Sequence, residues 1–360
     1  MDDNIRISFT GDILTYQCQN KLSKIGKDRY DYTGYLSQSA CLFKDSDYVV
    51  GSLETPLAGR SAKYTSEDTC FNTPDDILKA IKEIGVTMLT TGNNHALDRG
   101  KPGLKRTIDI LDEYGFDHTG TAKTPDSKRY VVKEIKGVRV AFLSYSYGTN
   151  SFINECLLSK EEEYMVNLTR PQDQPPYRST IKRVAKSTFL LLPKAIRELV
   201  RPEASAGIIS DCVSSTEIDN PRNEHFVKRM LDDVKEAKKG ADIVVFCLHS
   251  GGQFNSEVTG YTRWLIDILV EAGVDAVVCN HTHTPLPIEE RGNGCVVAYS
   301  LGNFSFTPGV GYYVPGVNAE YSKVLHLIID TKKKCIVNHE VDMTKCEVDS
   351  KGYAYVSIIS

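Results

Sequence analysis

The sequence predicts an α/β protein: a sheet with parallel members, then antiparallel strands forming a second sheet toward the C-terminus. Three observations carry that expectation. Short β-branched runs alternate with helical stretches through most of the chain, and each helical stretch stops at a glycine. Polar residues gather where the apolar runs end, as Gly11-Asp12, Ser52-Leu53-Glu54, Asn93-Asn94-His95, His249 and Asn280-His281-Thr282-His283. The tail carries strand patterns with no helical pattern between them.

Taken in order, Ile5–Phe9, Tyr48–Val50, Val86–Thr91, Ile243–Cys247 and Val274–Cys279 read as strands because they are runs of β-branched and aromatic residues. Thr73-Pro74-Asp75-Asp76 reads as a helix start, with proline at the first helical position, and the apolar Ile77, Ile81 and Ile84 lead to a stop at Gly85. Further helices are expected over Leu104–Tyr114, Phe226–Lys239 and Trp264–Ala272, each followed by glycine. Cys295–Tyr299, Lys323–Ile329, Cys335–Val341 and Tyr353–Ile359 read as the antiparallel strands of the second sheet.

The 360 residues, 41% of them apolar, are enough for a real core and are expected to form a single domain over 1–360. Residues 150–222 break the alternation with prolines and polar residues and read as an insertion over one end of the sheet. Between Arg178 and Glu203 it holds seven Lys or Arg against two Glu, so 178–203 is where a membrane surface or a partner would dock; packing on the parent domain is the plainer reading. A net charge of -4 excludes the basic footprint of a nucleic-acid binder. The ten cysteines show no C-x-x-C spacing and read as buried free thiols of a reducing compartment. With no basic leader and no long apolar segment in view, a cytoplasmic or membrane-associated location is expected.

Each polar motif has an ordinary explanation when taken alone. Asp12 can be a turn residue, Glu54 a solvated loop acid and His249 a hydrogen-bonded structural histidine. The pair His281-x-His283 says more, since alternate residues of an extended segment share a face and reach one or two neighbouring ions. The combination says most: four of the eight histidines, two carboxylates and an asparagine all stand at strand ends, where ligands gather in open α/β sheets.

In this order the motifs resemble the bacterial capsule-synthesis (CapA-type, poly-γ-glutamate synthesis) proteins of the calcineurin-like metallophosphoesterase superfamily. The resemblance runs through Gly11-Asp12, Ser52-Leu53-Glu54-Thr55-Pro56-Leu57, Asn93 to Gly100, His249-Ser250-Gly251, Asn280 to His283 and Tyr299-Ser300-Leu301-Gly302-Asn303-Phe304. It implies a four-layer αββα sandwich of the metallo-dependent phosphatase type and one or two divalent ions, Mn²⁺, Zn²⁺ or Fe²⁺. Glu54 would bridge the ions, with Asn94, His249 and His281 on one and Asp12 and His283 on the other. His95 would stay off the metals as a general acid or substrate clamp oriented by Asp98. Arg99 and Asn303 are expected to bind substrate. Classical phosphoesterases have a histidine two residues after the first aspartate, where this chain has Leu14, so the Asp12 site is short of a ligand. Ser52, Ser250 and Asn280 are departures as well, and the first two are expected to change the pocket wall.

The function so implied is a metal-dependent hydrolase or transferase of capsule or poly-γ-glutamate metabolism, using metal-activated hydroxide on an anionic polymer or a small anionic substrate, with a membrane surface or a capsule-machinery partner at 178–203. The alternatives are a phosphoesterase for a small phosphate ester, a non-hydrolytic assembly or binding factor, and a metal-independent acid-base enzyme such as an epimerase.

Overall fold

The computed structural model describes residues 4–66, 69–174, 212–309 and 318–359. The segment 178–203, named above for its basic charge, lies outside the described residues.

Two sheets face each other. The first runs in the order β14 (Ala354–Ile359), β13 (Cys335–Val348), β12 (Tyr321–Asp330), β1 (Asn4–Ile13), β2 (Tyr48–Leu53), β3 (Met88–Thr90) and β4 (Asp117–Thr119), with β11 (Asn303–Ser305) also paired to β1. The second is β5 (Tyr130–Ile135), β6 (Val138–Ser146), β7 (Ile243–His249), β8 (Ala276–Asn280), β10 (Val296–Ala298) and β9 (Ile288–Glu290). In β7, Ile243, Val245 and Cys247 point to the layer between the sheets, while Val244, Phe246 and Leu248 point outward to helices. The same alternation in β2 sends Tyr48 and Val50 inward and Val49 and Leu53 outward. A period of two with both faces apolar is what a strand buried on both sides requires.

Helices close the outer faces. Against the first sheet lie α1 (Gln17–Leu22), α2 (Thr33–Leu36), α3 (Ile77–Glu83) and the C-terminal part of α4 (Gly100–Tyr114). The short α5 (Ser151–Asn154) follows β6. Against the second sheet, α6 (Glu224–Gly240) buries Met230, Val234 and Ala237, and α7 (Gly260–Glu271) buries Tyr261, Leu265, Ile266 and Leu269. The layers are therefore helix, sheet, sheet, helix. Gly115 takes a left-handed conformation at φ 72° just past α4, and Gly85 one at φ 100° after α3, as helix-terminating glycines do.

Three expectations about elements are corrected. The tail strands are antiparallel, but β12 to β14 extend the first sheet instead of forming one of their own: β12 pairs with β1, Ile7 opposite Leu327. Leu325, Leu327 and Ile329 thereby enter the layer between the sheets, whereas a separate sheet would leave them uncovered. Val296–Ala298 joins the second sheet, parallel to β8. Thr73 does not cap α3; its hydroxyl bonds those of Thr15 and Thr55, and the helix begins at Ile77. The ten cysteines are thiols, five of them buried, but Cys41 is exposed. Among the described residues no helix is long and apolar enough to cross a membrane.

β1 runs past Phe9 to Ile13, and its register against β2 shifts before Asp12. The shift passes through Gly11, where the backbone closes on β11: Asp12 N donates to Gly302 O at 2.8 Å. A side chain at Gly11 has no room, since a Cβ there would sit 2.1 Å from Gly302 O and 2.6 Å from Ser322 Oγ. Gly11→Ala is expected to cost at least about 1–3 kcal/mol in urea unfolding, the range for overpacking, whereas Gly240→Ala, with nothing within 4 Å of the added methyl, leaves the midpoint in place.

Candidate metal centre

The carboxyl ends of β1, β2, β3, β7 and β8 meet at one edge of the two-sheet stack, and the loops that leave them carry the polar motifs. Asp12 stands opposite both Ser52 and Asn303 in the register of its neighbours, and His249 stands opposite Asn280. Glu54 follows β2 directly and is fully buried, as is Asp12.

Asp12, Glu54, Asn94, His249, His281 and His283 converge. His249 Nε2 lies 2.7 Å from Asn94 Oδ1, 3.1 Å from His281 Nδ1 and 3.4 Å from Glu54 Oε1. His283 Nδ1 lies 3.8 Å from Glu54 Oε2, and His249 Nδ1 lies 3.8 Å from Asp12 Oδ1. Ligand atoms of Glu54, His249 and His281 form one group that could hold an ion, and those of Asp12, Glu54 and His283 form a second, with Glu54 common to both. Neither oxygen of Glu54 has a hydrogen-bond partner among the described residues, although both are buried. A buried carboxylate without donors is costly unless a cation lies against it.

The electrostatics are those of a crowded anionic pocket. Burial, and then the charge of Glu54, raise Asp12 well above the ordinary carboxylate value against the hydrogen bonds from Ser52 and the His281 backbone. Burial also opposes ionisation of Glu54, but the charge of His283, the close approach and charge of His249, whose Nε2 is 3.4 Å away, and the charge of His95 outweigh it and hold the group at about 2. Burial pushes His249 down and His281 well down, favouring the neutral imidazole that ligates metals.

His95 sits beside this group, its Nε2 3.8 Å from Glu54 Oε1 and its Nδ1 2.6 Å from Asp98 Oδ2. The Asp98 carboxylate is fixed in turn by the Phe71 backbone N–H at 2.7 Å. Asn93 anchors the turn: its side chain donates to Leu53 O at 2.7 Å and accepts from the His95 N–H at 3.0 Å. Burial alone would lower the His95 pKa, but the charge and hydrogen bond of Asp98, with the charge of Glu54, raise it above the ordinary imidazole value.

Two residues expected to touch substrate are engaged elsewhere. Arg99 lends its guanidinium to the carbonyls of Lys63, Asp98 and Cys70 at 3.1 to 3.3 Å, tying the loop before Phe71 to α4. Asn303 is fully buried; its Oδ1 lies 2.8 Å from His283 Nδ1 and its amide donates to His283 O and Ala319 O. It is a holder of His283, because strand β11 places it under that ring. Ser52 is not pocket wall: its hydroxyl donates to Asp12 Oδ1 at 2.7 Å. Ser250 is likewise engaged, with the Thr262 hydroxyl at 2.8 Å. Leu14 is buried on the helix side of the first sheet, so that position offers no ligand.

The sequence reading missed Cys212, whose Sγ lies 3.1 Å from His281 Nε2, and Tyr147, whose ring packs on His281 at 4.7 Å. It also missed Asn150, whose Oδ1 accepts from the Asn94 amide at 3.2 Å. Tyr147 and Asn150 follow β6, a strand end with no recognisable motif, and Cys212 carries no local signal.

The chain is similar to known proteins over most of its length. The chain is 26% identical over 311 residues to the PGA biosynthesis protein CapA of Bacillus subtilis (strain 168), covering 86% of this chain and 65% of that one. It is 24% identical over 313 residues to the capsule biosynthesis protein CapA of Bacillus anthracis, covering 86% of this chain and 61% of that one. The chain thus spans somewhat less than two thirds of either relative. Among solved structures, a novel phosphatase of Mycoplasma pneumoniae overlays with a TM-score of 0.48 at 13% identity, covering 98% of this chain and 97% of that one. A hypothetical protein from Thermus thermophilus overlays with the same TM-score at 14% identity, covering 99% and 100%. The family model for the bacterial capsule synthesis protein PGA_cap matches residues 6–308, and the chain belongs to that family.

Proposed function

We propose that this protein is a metal-dependent hydrolase or transferase of capsule or poly-γ-glutamate metabolism, with His95 as its general acid. The observation that carries the reading is Glu54: a fully buried carboxylate whose two oxygens have no donor among the described residues, set between two groups of ligand atoms. The residues fit a pair of divalent ions. Asn94, His249 and His281 would hold one together with Glu54, and Asp12 and His283 the other. Oxygen and imidazole donors suit Mn²⁺, Zn²⁺ or Fe²⁺. When bound, such ions supply an activated water and polarise the bond under attack.

The chain's own residues do the rest. Asp98 accepts from His95 Nδ1, which fixes the ring so that Nε2 faces the centre and carries the proton to be given to a leaving group. Asn303 and Ser52 do the same positioning work for His283 and Asp12. Substrate would be an anionic polymer or a small anionic ester or amide. Leu14 favours a second reading: with no ligand from that position, the Asp12 side has fewer donors, as in a binding or assembly factor that holds one ion and does not turn over.

Elemental analysis of untagged protein loaded with Mn²⁺ separates the two. A binuclear enzyme gives about two equivalents per chain, about one in Asp12→Ala and in His281→Ala, and almost none in Glu54→Gln. No uptake by the parent protein would contradict the metal reading itself.

His95→Ala is expected to keep its metal while turnover of p-nitrophenyl phosphate drops by about 10²- to 10⁴-fold, the usual worth of a general acid. Equal turnover in the variant would rule out that role.

In metal-free protein, imidazole NMR should place the His95 titration above the ordinary value, and Asp98→Asn should lower it. The raised folded-state pKa means that His95 protonation favours the fold below the unfolded imidazole pKa. That contribution is lost as pH rises through the folded pKa. A His95 titration unmoved by Asp98→Asn would contradict the assigned cause.

A further inference from the structure

Beside the centre opens a cavity of about 260 Å³ whose floor includes His95 and His283. Small-molecule sites run roughly from 300 to 1,000 Å³, so this one has room for a single ring-sized group. Its walls are aromatic and continuous with the centre. Phe71 meets the His95 ring edge-on at 4.6 Å, Tyr16 meets Phe71 edge-on at 5.6 Å, and Phe254 packs on His283 at 5.4 Å. Phe152 completes the wall and is 42% exposed at the mouth.

Away from the two histidines and Asp173, the polar part of the lining is made of neutral groups: the amides of Asn150 and Gln253, the hydroxyls of Thr69 and Tyr147 and the Cys212 thiol. Among the described residues no lysine or arginine lines the cavity, and its one carboxylate, Asp173, is clasped by Arg170 through contacts of 2.6 and 3.1 Å. Backbone strain points to the same place. Nine non-glycine residues among those described have positive φ, and Asn150, Phe254, His281 and His283 are four of them. Phe254 is the most telling, a bulky buried residue at φ 56° whose N–H is tied to Thr282 O at 2.7 Å. Strain of this kind persists where the surroundings hold a side chain in a required place.

We propose that this cavity is the subsite for an uncharged sugar ring, so that the substrate is a glycosyl phosphate ester with its phosphate at the centre and its ring among the aromatic side chains. This deepens the hydrolase reading and rests on it for the placement of the phosphate. The C–H faces of a pyranose match the negative faces of aromatic rings, and its hydroxyl edge matches neutral amides and a hydroxyl. An anionic chain would find no lysine or arginine on this wall among the described residues.

The test is ligand-observed saturation-transfer NMR on the full, metal-free chain, with methyl β-glucopyranoside, methyl N-acetyl-β-glucosaminide and γ-linked triglutamate as probes. Both glycosides are expected to receive transfer. Their binding should weaken roughly threefold to tenfold, the worth of one aromatic contact, in Phe152→Ala and in Phe254→Asn. The first changes an exposed side chain and should fold as the parent does by circular dichroism; asparagine tolerates the left-handed backbone of the second, but Phe254 is buried, so the Phe152→Ala result decides if Phe254→Asn loses the parent's spectrum. Absence of transfer to either glycoside, equal transfer in the variants, or triglutamate transfer that falls in the same variants would overturn the proposal. Because no metal is needed, a failed metal-uptake experiment would leave this result standing, and the reverse also holds.

Discussion

A carboxylate with no donor holds the account together. Glu54 is at the bottom of the cleft with both oxygens buried, and the groups nearest to them are imidazoles and a second carboxylate, Asp12. Folding brings these charges together at a cost of several kcal/mol for each unpaired ion. The surroundings are consistent with a cation on either side of Glu54: His249 and His281 are driven toward the neutral form and Asp12 is pushed away from its ordinary value.

The fold supplies what this crowding requires. Five strand ends meet at one edge because the two sheets are clamped face to face by Ile5, Ile7, Phe9, Val245, Val278 and their neighbours. His281 and His283 then leave β8 with φ of 105° and 57°, conformations worth about 1–3 kcal/mol of strain each. Ties such as Asp12 Oδ2 to the His281 N–H at 3.0 Å and Asn303 to the His283 carbonyl at 3.1 Å keep them there. Ligand positions are thereby fixed before any ion arrives.

Much of this was legible in the chain. The helix stops at Gly85 and Gly115 followed from glycine's freedom at positive φ, and the strand-end motifs marked the residues that converge. What stayed hidden depends on pairing between distant strands. Nothing local tells β12 to add to β1, so the sheet of the tail was misplaced. Asn303 looked like a pocket residue because its position under His283 is set by β11 lying alongside β1, and Ser52 looked like pocket wall because its hydroxyl meets Asp12 only across the β1–β2 register. Arg99 follows the His95 motif closely enough to suggest an anion clamp, yet the backbone carbonyls it reaches belong to a loop some thirty residues away. Side chains with long reach and cross-strand partners are where a linear reading runs out.

The most direct measurement is anomalous diffraction from crystals grown with Mn²⁺. The account predicts two peaks flanking the Glu54 carboxylate, each about 2.0–2.2 Å from one of its oxygens, with His249 and His281 at one and Asp12 and His283 at the other. A Glu54 carboxylate bonded only to water or protein donors, with no peak beside it, would contradict the account at its centre.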